Sequence, residues 1–176
     1  VTGVQTCALP ILLLVAGCQN HKATSSMWTE SKMAAAHESR NPTRFKTYQL
    51  KESQMLDALD NCGSDQQQAI IMNMPDPQGS LQEFQIWKSK VASPDLVEKY
   101  PNLQTYQGVL AGANEIRIRI ENSDSGIQAM IIDKNDTWYI APAIGEEGSY
   151  IVYYKSDLPA DAKNFWSDKV IKKSQP

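Results

Sequence analysis

The chain has 176 residues, with 17 Lys and Arg against 20 Asp and Glu and a formal net charge of −3, which leaves room for one domain with a sizeable core plus tails. Charges of both signs are interspersed, so there is no basic field of the kind that holds phosphates, and this argues against nucleic acid as a partner. Cys7, Cys18 and Cys62 are too few and too scattered for a disulfide framework, His21 and His37 are the only imidazoles, and no H-E-x-x-H helix occurs, so no catalytic zinc site is expected in this chain.

In chain order, residues 1–11 lack an initiator Met and the positive start of a secretion signal; they look like translated sequencing-adapter sequence and carry no expectation for the fold. The apolar run that follows is too short to span a bilayer and ends in Val15-Ala16-Gly17-Cys18, which resembles the bacterial lipobox. Residues 12–18 then read as the end of a lipoprotein signal peptide, with Cys18 lipidated and the mature chain held at a membrane by acyl chains. That places it at the bacterial cell envelope, lipid-anchored, or secreted. Residues 19–44 are polar and Ser/Thr-rich, as in a tether, with a helical turn or two within Met27–His37.

The folded region is predicted over 45–158. Phe45–Leu50 reads as a first short strand, and 51–62 as a helix with Met55, Leu56, Leu59 and Cys62 on one face and Gly63 to stop it. Two runs rich in strand formers, from Ala69 and from Leu81, flank Pro75, Asp76, Pro77 and Gly79 and predict a hairpin. Phe84 and Ile86 share one face of its second strand. Trp87 breaks the alternation, as a bulge or a two-sided strand would, and suits core packing or a ligand platform.

Ser93 as N-cap and Pro94 at the first helical position open a second short helix, 94–100, which Pro101 ends. A strand with Gly108 at a bulge or a close approach comes next. The strongest strand signal is Glu115–Glu121, with Ile116, Ile118 and Ile120 on one face and Arg117 and Arg119 on the other, where the arginines either bind a carboxylate or phosphate or, as expected for a solvated face, pair with cross-strand acids. Turns at Asn122–Gly126 and Lys134–Asp136 separate two further strands, and Ser149–Ser156 is a last strand with aromatics on both faces. Asp124, Asp133, Asp136, Glu146 and Glu147 match no EF-hand spacing and read as solvated turns.

The fold class that follows is mainly β: an antiparallel sandwich or partly open barrel with two short helices, 51–62 and 94–100. Its expected core is Leu59, Phe84, Ile86, Ile116, Ile118, Ile120, Ile131 and Tyr150.

Several pieces come in a fixed order: Tyr100-Pro101, the T-Y-Q-G strand at Thr105–Gly108, the alternating Ile-Arg strand, A-M-I-I at Ala129–Ile132, W-Y-I-A-P at Trp138–Pro142, and I-V-Y-Y-K-S-D at Ile151–Asp157. That order resembles the domain preceding the catalytic domain in secreted bacterial zinc metallopeptidases of the reprolysin (adamalysin-like) type, over Phe45–Leu158. The resemblance implies a non-catalytic, propeptide-like domain that covers the active site or assists folding of the protease. Zinc would belong to the catalytic domain, joined in cis through residues 159–176 as connector. Propeptides of these enzymes can occupy the catalytic zinc with a cysteine thiolate, which makes Cys62 the candidate here. The resemblance brings no cysteine to this helix, however, and a thiol on an apolar face is usually buried and inert. The alternatives are a stand-alone envelope lipoprotein whose β domain binds a peptide or glycan through exposed Trp87, Tyr106 and Trp138, and an adhesion-like module with no ligand.

Overall fold

Alternation of apolar and polar residues favours extended chain over several of the described segments, because successive side chains of a strand point to opposite faces of a sheet. The computed structural model describes residues 26–32, 42–89, 102–143, 147–160 and 162. Nine strands, β1 (Trp28–Ser31), β2 (Lys46–Leu50), β3 (Ile70–Pro75), β4 (Leu81–Lys88), β5 (Gln104–Leu110), β6 (Ala113–Ser123), β7 (Gly126–Ile132), β8 (Thr137–Pro142) and β9 (Ser149–Tyr154), form one antiparallel sheet. Its order is β1-β2-β9-β8-β7-β6-β5-β4-β3, a meander from β3 to β9 with β2 and β1 added beside β9. The sheet curls into a half-barrel, so of the two expected closures the partly open barrel is the one adopted.

One helix, α1 (Glu52–Asp60), joins β2 near one edge of the sheet to β3 at the other. Met55 and Leu59 lie one helical turn apart, and both are fully buried in the core with Tyr48 and Leu50 of β2, Phe84 and Ile86 of β4 and Ile118 and Ile120 of β6. Each such side chain contributes roughly 1.5–3 kcal/mol by leaving water. Tyr150 fastens the start of the helix to the sheet: its hydroxyl donates to Glu52 Oε1 at 2.5 Å and accepts from the Ile127 amide at 3.4 Å. Among the described residues no helix is long and apolar enough to cross a membrane.

The β3–β4 hairpin turns on Asp76. Its Oδ1 accepts the amides of Gln78, Gly79 and Ser80 at 2.9, 2.8 and 2.9 Å, and its Oδ2 accepts Gln82 Nε2 at 2.9 Å, which satisfies an otherwise costly buried carboxylate. Gly79 supplies the left-handed φ of +102° that the turn needs. The tip also touches the far side of the sheet, since the Gln78 side chain donates to the Tyr154 hydroxyl and Gly79 lies against the Lys46 side chain.

Seven of the eight expected core residues are buried there; Ile116 is half-buried against the cluster. Four expectations change. Residues 19–44 are not all tether, because Trp28 is 4% exposed and packs edge-on against Tyr48 and Tyr150, drawing Trp28–Ser31 into the sheet as β1 where a helical turn was expected. Trp87 sits at no bulge: β4 keeps regular register with both neighbours, and the register shift falls at Val109/Leu110. Gly63 has no left-handed φ and its place is set by packing, since a Cβ there would lie 2.2 Å from the Gln68 Cβ. Tyr106 and Trp138, expected as exposed aromatics, are buried on the core face at 2% and 7% exposure, because the period of two puts them on the same side as Ile120 and Ile140. The expected helix 94–100 and the segment 163–176 lie outside the described residues.

Candidate binding groove on the outer face

The sheet face turned away from the core carries its own chemistry. Along β9 both faces are buried: Tyr150 and Val152 point to the core, while Ile151 and Tyr153 join Tyr139 of β8 in a second apolar cluster on the outer face. Met130, Ala141, Ala143 and Leu158 pack against that cluster. The rings of Tyr139 and Tyr153, paired across the strands, have centroids 5.6 Å apart and planes 33° from parallel.

Register then sets a transverse row. Trp87 of β4 lies opposite Gln107 of β5, Gln107 opposite Arg119 of β6, Arg119 opposite Met130 of β7, Met130 opposite Tyr139 of β8, and Tyr139 opposite Tyr153 of β9. Beside it Thr105, Glu121 and Gln128 make a second row across β5, β6 and β7. A groove of about 290 Å³ follows these rows, lined by Thr105, Gln107, Arg119, Glu121 and Gln128 at its polar end and by Met130, Ala141, Tyr139 and Tyr153 at its apolar end.

Burial pushes the Tyr153 hydroxyl up to about 12, helped by its neighbour Tyr139, and pushes Tyr139 up as well, helped by Asp136. Both are therefore neutral at physiological pH. Arg119 and Glu121 are exposed, and the salt bridges among the described residues are Arg44–Asp157 and Lys46–Glu30. The expected pairing of Arg117 and Arg119 with cross-strand acids does not occur, because their register partners are Val109 and Ile132, and Gln107 and Met130. The groove thus has one positive and one negative group free to hydrogen-bond, three neutral polar side chains, and a deep apolar wall.

Comparison with protein-family models, curated proteins and solved structures finds no match.

Of the residues singled out from the sequence, Arg119 lines this groove and Tyr106 borders it with its ring turned to the core, while the site candidate Cys62 lies elsewhere. Cys62 is 4% exposed in the core cluster, on the side of the sheet away from the groove, and burial raises its thiol pKa against the opposing pull of the Lys88 charge. Cys18 lies outside the described residues, as do His21 and His37. Asp124, Asp133 and Asp136 serve separate turns, accepting from Asn102 Nδ2 at 3.2 Å, the Asn135 amide at 3.3 Å and the Thr137 amide at 2.8 Å. Among the described residues no three His, Cys, Asp or Glu converge as metal ligands.

Apart from Arg119, the groove residues escape sequence reading because none is unusual for its strand. One signal was present: a final strand with aromatics on both faces means that its outer face is covered too, and Tyr153 marks the groove's apolar end.

Proposed function

We propose that the chain is the non-catalytic, propeptide-like N-terminal domain of a lipid-anchored or secreted reprolysin-type zinc metallopeptidase. It covers the active site or assists folding of the protease, with zinc held by the catalytic domain and Cys18 as the membrane anchor. The ordered set of strand motifs supports this reading. The observation that carries the docking surface is that Leu158 packs on the outer-face cluster beside the groove. The connector that follows Leu158 thus starts from the groove-bearing face, which supports that face as the docking side. Occlusion requires no chemistry from the covering domain, only a surface that excludes substrate. A specific interface of the usual size buries about 1,200 to 2,000 Å².

A second reading, a stand-alone envelope lipoprotein whose β domain binds a peptide or glycan, is favoured by the groove itself. The reading frame separates the two. Continued past Pro176, it is expected to encode H-E-x-x-H-x-x-G-x-x-H, and a stop codon shortly after Pro176 would remove the protease reading.

A further inference from the structure

We infer that the outer-face groove holds one large apolar side chain on an uncharged, extended peptide segment. This rests on the proposed function for its source, which is a surface segment of the catalytic domain that the chain covers.

Size is the first ground. At about 290 Å³ the groove lies at the lower limit of small-molecule sites, which run from about 300 Å³ upward, so it suits one residue and its flanking amides. Charge is the second. Arg119 and Glu121 cancel, so the groove selects neither an acid nor a base, while their unpaired heads and the amides of Gln107 and Gln128 supply the donors and acceptors that peptide C=O and N–H groups need. Direction is the third. The row from Gln107 to Tyr153 crosses five strands, so a segment laid along it runs across the sheet with its one large side chain toward the apolar end.

A sugar fits less well. Glycan sites offer a broad open ring face for stacking, whereas Tyr139 and Tyr153 are only 7% and 8% exposed and present little of theirs. The half-buried Met130 and Ala141 beside them offer the apolar contact that receives an aliphatic or aromatic side chain.

The test uses the whole chain with its methionine methyls labelled for NMR, titrated with N-acetyl-leucinamide, N-acetyl-aspartate amide and N-acetylglucosamine. The leucine probe is expected to shift the Met130 methyl saturably and to leave Met72 and Met74, buried in the core, unmoved. The aspartate and sugar probes are expected to do neither. Ala141→Phe, which fills the groove with apolar bulk, should abolish the shift while the melting temperature stays near the parent's. No shift with the leucine probe, an equal or larger one with the sugar, or one that survives Ala141→Phe overturns the inference. Protease inhibition separates this from the proposed function. Leucine-probe binding with no inhibition by the chain leaves the groove standing without its protease, and inhibition unchanged by Ala141→Phe leaves the protease reading standing without the groove.

Discussion

Ile118 shows how a single residue ties alternation to stability. At 1% exposure it lies inside the half-barrel, and in Ile118→Ala the lost methyls plus the cavity they leave should cost about 2 to 5 kcal/mol, read by urea denaturation. A variant that unfolds at the parent's urea midpoint would place that strand face outward. The tyrosines set the pH dependence. Burial raises the pKa of Tyr48, Tyr106 and Tyr153 to about 12 each, and that of Tyr150 higher still, with help from its bond to Glu52. A folded pKa above the unfolded value of about 10 means that the folded state holds the proton more tightly. The stabilisation is complete below about pH 10 and is lost as the pH rises through 12, so denaturation midpoints should be level from neutral pH to about 9 and fall steeply above 10. A level profile up to pH 12 would contradict the burial of these hydroxyls. Cys62, buried with a raised thiol pKa, should react with a thiol reagent far more slowly in the native chain than in urea, and equal rates would restore the thiol switch.

Among the elements, β4, β5 and β6 meet at Gly108, where a Cβ would fall 2.3 Å from the Gln85 carbonyl oxygen and 2.9 Å from Ile118 Cγ2. One of those atoms is backbone of the neighbouring strand and cannot step aside, so Gly108→Ala should cost about 1 to 3 kcal/mol by thermal melting. A melting temperature equal to the parent's would mean that the strands part freely there. The hairpins around Asp76 and Gly126, the helix α1 and the face of Ile118 and Ile120 were all legible, because turn chemistry and period are local properties. β1 was not. Its four residues are too few to show a period, and what makes them extended is Trp28 packing on Tyr48 and Tyr150, contacts 20 and 122 residues away in sequence. The groove was illegible for the same reason. Gln107, Arg119, Met130, Tyr139 and Tyr153 come from five strands and become neighbours only once the register is set.

At the level of the whole molecule, one sheet divides the chain into two chemistries. The face under α1 is spent on stability, and the outer face grades from a buried aromatic end through the groove to free charge. Pairing of β2 with β9 joins partners such as Lys46 and Val152 that lie far apart in sequence. On the proposed function, the groove-bearing outer face is the side that meets the partner. The most direct measurement of the proposed function is cleavage of a protein substrate by the reprolysin-type catalytic domain that this proposal puts downstream in the same frame, with the purified chain added in trans. The account predicts slower cleavage in proportion to the chain added and unchanged by Cys62→Ser, and no binding to that catalytic domain would contradict it.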